Sequence, residues 1–238
     1  MSADPLDLMP EVDHATERLL GTVDGLTDAD MRRPSLCRGW TRGHVLTHLA
    51  RNADGLTNLL TWARTGVVTP QYESWDRRNA DIEDGAGRDA AALADDLRAA
   101  ARRFAVAVET MPPEAWSVEL PLHSGPQRAA RIVWRRLREV EVHHVDLDAG
   151  YGPTEWPDAF SHRLLHEVVA QFSGRGTVPA VRLRADGVRH ELSIGSTAAA
   201  PLVSGPASAV AAWLTGRSPG AELTVEPEGP LPAVPDWI

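Results

Sequence analysis

Four long stretches within the first 150 residues carry apolar side chains at helical spacing, each closed by a turn signal, and this pattern narrows the fold more than any other feature. Residues from about Asp7 to Val23 are amphipathic and stop before Gly25. A second stretch begins after Trp40, with Thr41 placed to cap it, and runs to about Trp62, short of Gly66. Asp89 to Glu109 sets Leu93, Leu97, Phe104 and Val108 on one face, and Pro112-Pro113 ends it. A fourth helix fits Gln127 to Asp148, closed at Gly150 as a left-handed cap would close it. Four apolar stripes of this length bury one another as an up-and-down four-helix bundle.

The texture changes after Gly150. Tyr151-Gly152-Pro153 reads as a boundary, so two domains are expected, residues 1–150 and 151–238. Pro157 to Phe172 is again helical. Ala180 to Arg184 and Val188 to Ile194 alternate apolar and polar residues on either side of Asp186-Gly187, which predicts a β-hairpin. A strand at Pro201-Leu202-Val203, a helix from Ala207 to Leu214 and a strand from Glu222 to Val225 complete a small unit. The expected class is α+β, a helical bundle followed by a small α+β domain.

Composition removes whole classes of chemistry. The chain has 238 residues, and every one of its 24 basic side chains is an arginine. Without lysine there is no Schiff-base or pyridoxal lysine, no P-loop lysine and no Ser–Lys hydrolase. A net charge of −9 argues against nucleic acid and anionic membranes as partners, because both need a basic field. Cys37 is the one cysteine, so no intrachain disulfide forms, which suits a reducing cytosol. No apolar run approaches eighteen residues, and Met1 to Pro5 lacks the basic-then-apolar pattern of a secretory signal. A cytoplasmic monomer that acts on a small molecule is expected.

Nine histidines remain, and four of them fall in pairs on two bundle helices: His44 with His48, and His143 with His144. Glu139 and His143 are four apart, so they lie about 40° apart on the helix, one turn above the other. Both sit on one shoulder of the stripe formed by Ile132, Val133, Val140 and Leu147, while His48 flanks that of Val45, Leu49, Asn52 and Leu56. Two such shoulders facing each other would converge two imidazoles and a carboxylate, a donor set that leaves coordination positions open on a divalent ion. Helical spacing does not choose between Glu139/His143 and Glu141/His144. His44 and His48 also suit capping or core-edge roles, and the glutamates suit solvated pairs with Arg135 and Arg138. His14, His123 and His190 have no partner at ligand spacing, and the i,i+4 pair His162/His166 falls on a helix outside the bundle, where exposure is the plainer role. Cys37 is a rival nucleophile, but it falls in a loop where packing is the plainer role.

The segment from Gly39 to Ala53 (Gly-Trp-Thr-Arg-Gly-His-Val-Leu-Thr-His-Leu-Ala-Arg-Asn-Ala) resembles the helix-2 signature of the mycothiol-dependent maleylpyruvate isomerase family, which belongs to the DinB-like metal-binding bundles. Pro34-Ser35-Leu36-Cys37 and the run from Arg138 to Leu147 are similar to it as well, as is the layout of a bundle followed by a sterol-carrier-like domain. The resemblance implies that His48, Glu139 and His143 bind zinc or another divalent metal, with water or the mycothiol sulfur at an open position. Ala212-Trp213-Leu214-Thr215-Gly216-Arg217 resembles a further family segment, which implies that Arg217 holds a dicarboxylate substrate. An arginine just past a helix C-terminus is also favoured by the helix dipole alone. The implied activity is cis–trans isomerisation of maleylpyruvate to fumarylpyruvate by reversible thiolate addition. The alternatives are a mycothiol S-transferase using the same metal site and a non-catalytic small-molecule binding module.

Overall fold

Thr41 and Gly66 delimit the longest helix of the computed structural model, which describes residues 5–122, 125–175, 178–195 and 199–237. The Thr41 hydroxyl accepts from the amide of His44, and Gly66 takes a left-handed φ of 72° while its amide bonds to Trp62. Between them Arg42–Thr65 is continuous helix. In chain order the helices of the first unit are α1 (Met9–Asp24), α2 (Asp28–Met31), α3 (Arg42–Thr65), α4 (Trp75–Ala86), α5 (Ala90–Glu109) and α6 (Arg131–Asp146). Strands β1 (Glu119–Leu122) and β2 (Gly125–Arg128) form an antiparallel pair between α5 and α6.

α1, α3, α5 and α6 pack on one another as a four-helix bundle. Leu19, Leu49, Leu56, Leu97, Phe104, Ile132, Val133 and Val140 are essentially inaccessible to solvent and make its core. α4 lies against α3 through very small residues. A Cβ added to Gly43 would stand 2.2 Å from the carbonyl oxygen of Ala86, and one added to Gly85 would stand 2.5 Å from Thr47 Cγ2. The two backbones therefore touch at a distance no larger side chain permits.

Two boundaries differ from the sequence pattern. Gln127 does not begin a helix: it pairs with Leu120 in the β1–β2 ladder, and α6 starts at Arg131. The buried face of β1 accounts for this, since Leu120 and Leu122 pack inward and the helical stripe itself begins only at Ile132. α6 ends at Asp146, not Asp148, because Asp148 has a φ of 51°. α4 has no counterpart in the sequence reading, since only Ile82 and Ala86 of its twelve residues are buried.

The chain divides into two compact units, Met1–Gly150 and Tyr151–Ile238. In the second, α7 (Asp158–Ser173) packs on α8 (Ala207–Leu214), which spans the expected residues. A four-stranded sheet has the order β4-β3-β5-β6, with β3 (Val181–Ala185), β4 (Leu192–Ile194), β5 (Leu202–Gly205) and β6 (Thr224–Glu226). β3 and β5 run parallel, and the other neighbours are antiparallel. The hairpin is present, but Leu183 pairs with Leu192, so the connection is wider than a two-residue Asp186-Gly187 turn. The register moves by two residues, which keeps every side chain on its face.

Candidate metal centre

α3 and α6 face each other with their shoulder positions inward, and the three side chains implied as ligands meet there. His48 Nε2 lies 3.1 Å from Glu139 Oε2 and 3.1 Å from His143 Nε2, and His143 Nε2 lies 3.6 Å from Glu139 Oε2. Around a tetrahedral ion with bonds of about 2.0–2.1 Å, donor atoms stand about 3.3 Å apart. The three separations bracket that value, so the donor set fits a divalent ion without rearrangement of the helices.

The electrostatics of the cluster follow from burial and from each group's neighbours. Burial pushes His48 down to about 4, so it is neutral at pH 7. Burial acts to raise Glu139, yet hydrogen bonds from His143 and His48 hold its carboxyl well below the usual range. His143 is also buried, but Asp146, Cys37 and Glu139 raise it well above an ordinary histidine.

Asp146, three residues beyond His143, joins the site although the sequence pattern does not mark it as a site residue. Its Oδ2 accepts from His143 Nδ1 at 2.8 Å. That bond fixes the ring so that Nε2 faces Glu139 and His48, the arrangement by which an outer carboxylate orients a ligating imidazole. Asp146→Asn is expected to weaken zinc binding 10–100-fold, read by competition with a chromogenic chelator. Cys37 Sγ lies 3.3 Å from Asp146 Oδ2 and 4.0 Å from His143 Nδ1, on the far side of that ring from the three converging donors.

The competing pair points elsewhere. Glu141 meets Arg18 and His144 Nε2 lies 2.8 Å from Thr22 Oγ1, both on α1. His44 turns back to its own cap, Nδ1 lying 2.7 Å from Thr41 Oγ1, and its Nε2 is 3.3 Å from Glu83. Of the other histidines, His162 Nε2 lies 3.1 Å from the Asp186 carbonyl, and the His166 and His190 rings lie 6.1 Å apart. His123 lies outside the described residues. In the second unit, Arg217 follows α8, donates to the Thr215 carbonyl at 2.7 Å and sets its guanidinium 5.9 Å from the Trp237 ring.

Two cations near the donors also escape a reading of spacing. Arg136 is buried on α6 and donates to the Leu49 carbonyl at 2.8 Å and to Asn52 Oδ1 at 3.1 Å. Desolvation lowers it to about 10, while the Glu139 charge acts to raise it, so it stays charged at pH 7. Arg78 reaches from α4 to His48 Nδ1, 2.9 Å away.

Two family models match, one described as the mycothiol maleylpyruvate isomerase N-terminal domain over residues 12–148 and the other as the MDMPI C-terminal domain over residues 155–236. The chain belongs to the mycothiol-dependent maleylpyruvate isomerase family. Among solved structures, the mycothiol-dependent maleylpyruvate isomerase is 27% identical, with a TM-score of 0.91 over 98% of this chain and 97% of that one. A histidine-to-alanine mutant of that enzyme is 26% identical, with the same TM-score and coverage. The comparison with curated proteins found no match. The family is one of enzymes, which argues against a purely non-catalytic binding module. Among the described residues, no helix is long and apolar enough to cross a membrane.

Proposed function

We propose that this chain is a zinc- and mycothiol-dependent isomerase that converts maleylpyruvate to fumarylpyruvate. The observation that carries the reading is the convergence of His48, Glu139 and His143 at 3.1–3.6 Å, in a chain whose two domains both match the family. These three residues would hold the ion. A divalent ion there supplies Lewis acidity that lowers the pKa of a thiol in its coordination sphere. Turning a cis alkene into a trans one requires temporary loss of the double bond, and an external thiol provides that by reversible addition.

The chain's own residues do the rest. His48 is held neutral by burial, as a ligating imidazole must be. Asp146 keeps the His143 ring in the orientation that presents Nε2. Glu139 brings one negative charge to the donor set, with Arg138 Nη2 3.5 Å from its Oε1 and the charge of buried Arg136 nearby. Arg217 is assigned to a substrate carboxylate, because a guanidinium fork pairs with a planar carboxylate through two hydrogen bonds. All three metal donors come from one chain, which suits a monomer, and the single thiol suits a cytoplasmic setting.

Incubating the zinc-loaded protein with maleylpyruvate and mycothiol tests this. Conversion to the trans isomer with thiol unconsumed is the expected result. A thioether formed in proportion to substrate lost would make the protein an S-transferase instead.

A further inference from the structure

Arg78 stands beside the donor cluster, on the outer nitrogen of the His48 ring. Its neighbour Arg77 pairs with Asp81 at 2.8 Å, whereas Arg78 pairs with no carboxylate among the described residues. Its Nη1 donates to Asn79 Oδ1 at 2.9 Å, and its Nη2 lies 2.9 Å from His48 Nδ1. The guanidinium carbon stands 5.7 Å from the centroids of both the Tyr72 and Trp75 rings, within cation–π range of each.

We propose that Arg78 receives a carboxylate of the substrate, and that its guanidinium is released for this role when a metal ion takes His48 Nε2. The inference rests on the metal reading above and adds to it a substrate-binding residue in the same compact unit as the donors. Proton counting at the His48 ring supplies the coupling. Arginine only donates, so the ring nitrogen it meets must be the acceptor, and the ring proton then sits on Nε2, toward Glu139. A neutral imidazole that ligates through Nε2 carries its proton on Nδ1 instead. Two donors would then face each other across 2.9 Å, so the Arg78 bond and Nε2 ligation exclude one another. The displaced guanidinium keeps its aromatic shelf and turns its fork to the nearest planar anion. A carboxylate matches that fork, whereas a neutral ligand leaves the charge uncompensated beside the metal.

Calorimetric titration of the full chain with zinc, and then with maleate as a simple cis-dicarboxylate probe, tests the coupling without any turnover. Maleate is expected to bind the zinc-loaded protein at least tenfold more tightly than the metal-free protein. Arg78→Met should lower the maleate affinity of the zinc-loaded form at least tenfold while zinc affinity stays equal or rises, because a competing donor has gone. Arg78→Lys keeps a cation without the fork, guards against a folding defect, and should recover part of the maleate affinity. Unchanged maleate affinity in Arg78→Met overturns the proposal while leaving the metal reading intact. A parallel fall in zinc affinity also overturns it, since a merely structural arginine would behave that way. A wild-type chain that takes up no zinc removes the metal reading first, and this proposal with it.

Discussion

Glu139→Ala is expected to lose metal binding altogether, with zinc affinity down by a factor of a thousand or more and isomerase activity gone with it. The carboxylate is the one anionic donor of the set, and its Oε2 is the atom both imidazoles approach. A factor of a thousand corresponds to about 4 kcal/mol. The same substitution should also destabilise the metal-free protein, because it takes away the buried carboxylate that pairs with Arg138 and His143 and offsets the charge of Arg136, leaving Asp146 alone to neutralise His143. Removing one partner of a buried charge pair costs about 3–5 kcal/mol. For a chain of this size that lowers the melting temperature by roughly 10 °C. Glu139→Gln separates the two effects, since it keeps the volume and one accepting oxygen but not the charge. His48→Ala and His143→Ala should match Glu139→Ala in metal content, and His144→Ala should keep its metal, because that ring faces Thr22 on α1. Elemental analysis of the purified variants gives the answer, and stoichiometric zinc in Glu139→Ala would dismiss the site.

The second large effect lies in the backbone contact between α3 and α4. Gly43→Ala puts a methyl group 2.2 Å from the Ala86 carbonyl oxygen, and neither helix has a flexible side chain there to give way. Overpacking of this kind costs about 1–3 kcal/mol, sometimes more, and it displaces the helix that presents Arg78 to His48. Gly21→Ala in α1 is the matched control. A Cβ there meets nothing within 4 Å, so the usual helical gain of about 0.5–1 kcal/mol should appear. Opposite signs for two identical changes, read by thermal unfolding, is the expected outcome. A stabilised Gly43→Ala would mean that α4 is not held against α3 at that distance.

Much of the bundle was legible because its four stripes are long and strongly periodic, and burial then follows from geometry. Thr41, Asp89 and Gly66 close their helices by local chemistry that a reader of the letters can see. α4 was invisible for the opposite reason: Trp75 to Ala86 is mostly polar and packs through the absence of side chains at Gly43 and Gly85, which leaves no apolar signal. Arg78 was lost with it. The last two residues of β2 fall inside the expected α6 because Gln127 and Arg128 are as acceptable in a helix as in a short hairpin. Within the site, spacing alone left two Glu/His pairs open on α6. What separates them in the structure is the neighbour on each side, α3 for Glu139 and His143 and α1 for Glu141 and His144. Such long-range pairing does not appear in the letters of one helix.

Buried Arg42 gives the end of α6 a fastening whose effect reaches beyond the helix itself. Its Nε donates to the Leu147 carbonyl at 2.7 Å and its Nη2 to that of Asp148, while the amide of Leu36 binds the carbonyl of Asp146 at 2.9 Å. The loop that carries Cys37 is thus stitched to the last turn beneath His143. In deuterium exchange, the amides of this loop and of that turn should open together, as one cooperative patch. A surface loop would otherwise exchange at once, and here it inherits the slowness of the core.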